Sequence, residues 1–460
     1  MNISLLDAAR VMGAAVEELD RTARITGVAV DSRVVKPGDV FFALKGDYLD
    51  GHDYARDALL RGASAVVVER PVEVEAGRRV VVADGMAAVA ALAGWVRDVL
   101  NPVVVGITGS TGKTSVKDLL ASIVQQQMPV VASERSFNNE LGVPLTLLRT
   151  RSDTRVVITE MGTRGIGQIA QLCELARPHI GVVTNVGVTH YETFGSRAAI
   201  AQAKGELVEA IPEGGAAILN ADDPLVAKMA SRRGNLVDVL TFGVSPDAWL
   251  RAGEVSLDRL GRPSFRLFRG AQKGIWVSMQ ASGAHQVANA LAASTAAMAL
   301  GLTLDDCRIG LEAAKISPWR MQVRQVGDAV MVNDAYNASP ASVASALQTC
   351  AGMVRQGGRL LAILGHMAEL GRLAETEHRR IGALAASLAA RLVVVGSAAE
   401  PIAEGARQEG MSDVVQVADA AAAAAAIGRL QAGDVLLIKG SRVAALEAVS
   451  DIVEQGMAGA

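Results

Sequence analysis

An apolar run, Val103-Val-Val105, feeds directly into Gly106-Ile-Thr-Gly-Ser-Thr-Gly-Lys-Thr114, and no other stretch limits the possible folds as sharply. A buried strand that turns through glycines into a helix leaves backbone N–H groups free. It also aims the positive end of the helix dipole at an anion. Lys113 can neutralise the outer phosphates of a nucleotide, and the Thr114 hydroxyl can face Mg2+. The strict P-loop pattern asks for glycine at 107, where Ile107 stands. Glycine comes at 109 instead, giving T-G-x-x-G-K-T from Thr108 to Thr114. Gly109, Ser110, Thr111 and Gly112 then form the cradle, and Val116 to Val124 continues as a helix. The junction predicts an α/β protein that binds a nucleoside triphosphate.

Strand-like and helical runs alternate on both sides of this junction. Val28–Asp31, Val40–Ala43 and Ala65–Val68 read as short strands of a small N-terminal α/β module, residues 1–82. A second alternation, 83–313, has strand candidates 103–108, 156–160, 180–185, 216–220 and 237–242, the pattern of a parallel sheet covered on both faces. A third, 314–460, has candidates 329–333, 360–364, 392–396 and 435–439 and is expected to be Rossmann-like, with Pro318 marking the linker before it. The alanine run 420–426 follows Asp419, a natural N-cap, and is predicted to be a helix. At 460 residues the chain is too long for one core, which agrees with this division.

Only 3% of residues are aromatic while half are hydrophobic, so the cores must rest on Val, Leu, Ile and Ala. A net charge of −3 with interspersed signs leaves no footprint for nucleic acid or an anionic membrane. Cys173, Cys307 and Cys350 are widely spaced and read as buried small hydrophobes in a reducing compartment. Apolar runs break before they could span a bilayer, and Met1 does not open on a secretory leader. A cytoplasmic protein without membrane insertion is expected.

Ligands of open α/β sheets bind beyond the carboxyl ends of strands. Those ends carry the cradle, Thr159-Glu160, Thr184-Asn185 and Asn220-Ala-Asp-Asp223. Glu160 is well placed to hold Mg2+, and His190 lies five residues past Asn185. Lys204, taken alone, reads as an exposed helical lysine. In the third segment, Asp334 and Asn337 sit in a polar turn that can cap a helix or grip a ribose. Lys439, Ser441 and Arg442 follow an apolar strand and suit an anionic substrate group, while Arg320, beside the linker, could reach phosphates when domains close.

Together these residues resemble the ATP-dependent Mur ligases of peptidoglycan synthesis. The resemblance spans the chain and rests on Asp31-Ser-Arg33 with Pro37–Ala43, Asp50–Asp53, Thr108–Thr114, Phe137-Asn-Asn-Glu-Leu-Gly-Val-Pro144, Glu160-Met-Gly162, Ala203-Lys-Gly-Glu206, His285–Asn289, Asp334-Ala-Tyr-Asn337 and Lys439-Gly-Ser-Arg442. It implies a UDP-sugar domain, a central ATPase domain and a C-terminal domain. It also implies a carboxylate activated as an acyl phosphate and then attacked by an amine. The motifs match best the branch that joins D-Ala-D-Ala to UDP-MurNAc-tripeptide. A sister member that adds the third peptide residue, or a P-loop kinase or ATPase, are the alternatives.

The resemblance makes Lys113, Lys204, His190 and Arg320 the catalytic set. Thr114 and Glu160 would hold one Mg2+, and His190 a second together with Lys204, which the family modifies with CO2 to a carbamate. Asn289, Arg320, Asp334 and Asn337 correspond to nucleotide-facing positions. Asp31, Ser32 and Arg33 face the UDP-sugar, and Asn138 and Asn139 lie on the substrate-facing loop. Trp319, Ala338–Ser342 and His366 depart from the usual pattern. A monomer is expected.

Overall fold

The computed structural model describes residues 2–134, 136–270 and 273–458. It is an α/β protein built on three principal sheets. The N-terminal sheet is parallel, with strands Gly27–Ala29, Asp39–Phe42, Ala65–Val68 and Arg79–Val81 in that order. Helix Gly85–Leu100 follows. Asp84 caps it by accepting from the Ala87 N–H at 2.9 Å, and Asn101 in the left-handed region ends it. Its buried face, Val89, Leu92, Ala93 and Val96, belongs to one apolar cluster shared by the N-terminal and central units.

Among the described residues the central sheet has nine strands. From one edge these are Ile275–Ser278, Pro263–Arg269, Leu250–Leu257, Asp238–Gly243, Ala216–Asn220, Ile180–Val183, Val103–Thr108, Val156–Glu160 and Val130–Ala132. Its middle strands are buried on both faces, which is why they read as continuous Val/Ile runs. The five strands expected from sequence pair parallel, and the sheet extends beyond them through an antiparallel edge. Pro263–Arg269 and Ile275–Ser278 pair antiparallel. The physical reason lies in their one-sided burial. Phe265 and Leu267 point into the core, while Arg266 and Phe268 face outward. Arg251, Arg266 and Arg269 lie over the Phe268, Trp276 and Trp249 rings and cover that outer face. A sheet with one wet face takes antiparallel neighbours, and the Asp258–Gly261 turn supplies the tight connection.

The C-terminal sheet runs Gln322–Val326, Ala329–Asn333, Val435–Lys439, Leu360–Gly365, Arg391–Val395 and Val414–Val417, parallel except for the first pair. The alanine run is the helix Ala420–Ile427, with the Asp419 carboxylate accepting from the Ala422 N–H at 2.9 Å. All three cysteines are buried and free. Among the described residues no helix is long and apolar enough to cross a membrane.

Candidate active site

The cradle lies at the carboxyl edge of the central sheet. Gly109 has φ +150° and packs so closely on Thr184 that a Cβ would collide with its hydroxyl. Gly112, at φ +84°, opens helix Lys113–Val124 against the Asn289 amide. The neighbouring strand end holds the loop in shape. Asn185 accepts from the Thr111 N–H at 3.0 Å, and the Thr184 hydroxyl donates to the Thr111 carbonyl at 2.6 Å. The Lys113 ammonium folds back onto the Gly109 carbonyl at 2.7 Å. Burial lowers its pKa, nearby Glu160 opposes that, and Arg320 adds to it.

Helix Lys113–Val124 and strand Val156–Glu160 bring their ends together. The Thr114 hydroxyl donates to Glu160 Oε2 at 2.7 Å, and Asn138 Nδ2 donates to Oε1 at 2.8 Å. The Glu160 side chain is thus buried and oriented from two sides. Across the boundary, Arg320 Nη2 donates to the Thr114 hydroxyl at 2.8 Å and to Ser136 Oγ at 3.3 Å. Trp319 and Met321, at φ +59° and +49°, flank Arg320, so the backbone is strained on both sides of this reach. The Arg320 guanidinium also lies 4.0 Å from the Tyr336 ring centroid, and its Nε is buried without a partner. An anion arriving at Thr114 would meet a donor already desolvated.

Lys204 occupies helix Arg197–Glu209 and is 3% exposed, contrary to its reading as a surface lysine. Among the described residues its ammonium has no hydrogen-bond or ion-pair partner. Burial, reinforced by the nearby Lys113 charge, pushes its pKa well below the ordinary lysine value.

His190 sits at the start of the short helix Tyr191–Phe194, with its Nδ1 2.6 Å from Glu369 Oε2 of the C-terminal unit. Lys439 is buried against Asp334 Oδ2 at 2.5 Å and the Asn337 carbonyl at 2.9 Å, so its ammonium holds the Asp334–Asn337 turn. Asp334 Oδ1 accepts from the Met321 N–H at 3.0 Å, which ties this turn to Arg320. Ser441 Oγ is buried and unpartnered, and Arg442 approaches the Trp319 and Tyr336 rings. Asn289 bonds Gln286 at 2.9 Å, and Asn139 accepts from the Gly142 N–H at 2.9 Å, a capping contact.

Asp31, Ser32 and Arg33 stand apart on the N-terminal sheet, where the Arg33 guanidinium grips Asp31 at 2.7 Å. That contact holds the Asp31 carboxyl at about 2. Among the described residues no hydrogen bond or ion pair joins this trio to the cradle. Glu369, Tyr336, Ser136 and Ser133, whose hydroxyl accepts from the Glu160 N–H at 3.1 Å, are not singled out from sequence. Tyr336 lies inside the Asp334–Asn337 motif, and Glu369 stands three residues past His366.

Three family profiles tile the chain: "Mur ligase family, catalytic domain" over residues 24–104, "Mur ligase middle domain" over 107–297 and "Mur ligase, glutamate ligase domain" over 319–442. A Mycobacterium tuberculosis protein named UDP-N-acetylmuramoyl-tripeptide–D-alanyl-D-alanine ligase is 41% identical, covering 98% of this chain and 97% of its own length. The chain belongs to the Mur ligase family. Two solved Mur ligases extend the likeness to three dimensions. MurF from Acinetobacter baumannii superposes with a TM-score of 0.87 at 27% identity over 99% of both chains. MurF from Thermotoga maritima, in complex with ADP, gives 0.81 at 28% identity over 94% of this chain and 98% of that one.

Proposed function

We propose that this Mur ligase joins D-alanyl-D-alanine to UDP-N-acetylmuramoyl-tripeptide at the expense of ATP, giving the UDP-pentapeptide, ADP and phosphate in peptidoglycan precursor synthesis. The substrate pair rests on the relatives' names over nearly the whole chain. The chemistry rests above all on one observation: a glycine cradle whose Thr114 meets Glu160 from its own sheet and Arg320 from the C-terminal unit.

The buried pairing of a hydroxyl with an oriented carboxylate is a hard-oxygen donor set of the kind Mg2+ takes. Thr114 and Glu160 would hold one ion, and His190 with a carbamate on Lys204 a second. The unpartnered Lys204 fits that modification. A depressed pKa supplies the neutral amine that attacks CO2, and the N–C bond forms as one proton leaves to solvent. The carbamate then faces Lys113 as an anion instead of repelling it as a cation. When bound, the divalent ions supply the charge screening that lets a peptide carboxylate approach a polyphosphate.

The chain's own residues do the positioning. The cradle amides and Lys113 bind the phosphates. Arg320 gives up the Thr114 lone pair and turns its Nε and Nη groups to the transferred phosphoryl group. The carboxylate attacks the γ-phosphorus, ADP leaves, and the amine attacks the resulting acyl phosphate. Phosphate then departs as the amide forms. Ser441 and Arg442 contact the incoming dipeptide or the peptide carboxylate, and Asp31, Ser32 and Arg33 contact the UDP-sugar. Asp334, Asn337 and Asn289 face the nucleotide. The protein works in the cytoplasm as a monomer.

ADP release measured with each substrate omitted in turn is the test. Release is expected only with both the UDP-tripeptide and D-Ala-D-Ala. Equal release with water alone would make the chain a plain ATPase, and turnover with a UDP-dipeptide and a free amino acid would place it in the sister branch.

A further inference from the structure

The contact between His190 and Glu369 has features that a chance domain touch would lack. Glu369 follows strand Leu360–Gly365 at φ +63°, and His190 faces it at φ +61°. Both are non-glycine residues in the left-handed region, a conformation kept only where the surroundings impose it. Those surroundings are explicit. The Glu192 N–H donates to the Glu369 carbonyl at 3.1 Å, and Arg372 Nη2 donates to the Tyr191 hydroxyl at 2.8 Å. Arg164 Nε lies 3.6 Å from the other Glu369 oxygen. A Cβ on Gly371 would lie 3.0 Å from the Glu192 Cα, and Val188 packs against the C-terminal apolar cluster. The loop that carries His190 is therefore seated on the C-terminal unit by backbone, aromatic, ionic and apolar contacts at once.

Imidazole binds a cation through one nitrogen only when the proton resides on the other, and the partner of that second nitrogen decides which. Glu369 Oε2 stands 2.6 Å from Nδ1, although the two groups are not yet aligned as a hydrogen bond. Contacts of this kind tighten when substrate completes a site. A proton held on Nδ1 by the carboxylate leaves the Nε2 lone pair free. We propose that Glu369 is a positioning residue that fixes His190 in this tautomer. Docking of the C-terminal unit thereby becomes a condition for presenting Nε2 to the second divalent ion. The inference rests on the reading of His190 as a ligand.

The test uses the full chain as wild type, Glu369→Ala, Glu369→Gln and Glu369→Asp, with Mn2+ plus ADP as the probe. Imidazole 15N spectra report the tautomer, with the His190 signal assigned by its loss in His190→Gln. Electron paramagnetic resonance titration reports Mn2+ affinity, and steady-state rates report kcat and KM. Glu369→Ala is expected to show mixed His190 tautomers, about tenfold to a hundredfold weaker binding of one Mn2+, and a fall in kcat with little change in KM for ATP. Glu369→Gln, whose amide oxygen still accepts from Nδ1–H, is expected to keep the tautomer. Glu369→Asp is too short to reach and is expected to behave like alanine, which preserves the test if Glu369→Ala does not fold. A wild-type spectrum and wild-type Mn2+ affinity in both Glu369→Ala and Glu369→Asp would overturn the inference. Absence of ligation by the wild type itself would overturn the proposed function instead.

Discussion

Replacing Lys204 by methionine should make the unmodified protein more stable and the enzyme inactive. Methionine keeps the chain length and removes the charge. Lys204 is 3% exposed, has no ion-pair partner among the described residues and feels the Lys113 cation. An unpaired polar group held in such a place costs about 1–3 kcal/mol in protein substitutions. For a unit of this size each kcal/mol moves the midpoint by about 2–4 °C, so the central unit should melt about 2–12 °C higher. The measurement is calorimetry in CO2-depleted, metal-free buffer. The pH dependence has a definite sign. The folded-state pKa lies below the unfolded value, so the unfolded chain binds more protons between the two. Wild-type stability therefore rises with pH across that interval, and the advantage of Lys204→Met shrinks as pH approaches the ordinary lysine value. Under the proposed carbamate, ADP release should fall by about a hundredfold or more, because methionine offers no amine to carry that group. In Lys204→Ala, short carboxylic acids should restore part of it by filling the vacated space with an anion. A methionine variant that melts below wild type would refute the burial argument, and one with full activity would refute the carbamate.

Arg320→Ala should lower kcat by about a hundredfold to a thousandfold, with KM for the UDP-substrate nearly unchanged. An unchanged kcat would reduce Arg320 to a contact between units. Gly109→Ala places a Cβ against the Thr184 hydroxyl at φ +150°, a strain of about 1–3 kcal/mol. Calorimetric titration with ADP should show about a tenfold or greater loss of affinity, and wild-type affinity would mean that the cradle yields. Asn138→Ala leaves Glu160 Oε1 without its donor, so activation by Mg2+ should require about tenfold to a hundredfold more metal. An unaltered Mg2+ titration would leave Asn138 as a loop contact alone.

Elements whose signal is local were legible in the chain. Val103–Thr108 is buried on both faces, so its apolar run needs no context to be read as a strand. The Ala420–Ile427 helix is announced by Asp419, whose carboxylate caps it. The antiparallel edge was not legible in the same way. In Pro263–Arg269 the inward Phe265 and Leu267 alternate with Arg266 and Phe268, and the outer aromatic ring is covered only because Arg251 folds over it from another strand. Val130–Ala132 and Val414–Val417 lie at sheet edges and are only partly buried, so neither shows the apolar run of a central strand. They are strands because a neighbour offers a ladder.

Site residues divide by the same criterion. Thr114 and Glu160 could be expected to meet, since Thr114 opens the helix that follows strand Val103–Thr108 and Glu160 ends the neighbouring parallel strand. Lys204 could not be distinguished from a surface lysine. Its neighbours Ala203 and Gly205 say nothing of burial, and Gly205 matters only because Arg232 packs where a side chain would otherwise stand. Glu369 lies farther from local inference, because its partner His190 belongs to a different sheet and both adopt backbone angles that their residue types disfavour. Strain of that kind survives where contacts from two units outweigh it, so it cannot be read from either segment alone. The nucleotide end of the site is therefore written into one strand–loop–helix junction. The contacts of Arg320 with Thr114 and of His190 with Glu369 are set between units, and under the proposed function it is there that turnover would come to depend on more than one unit.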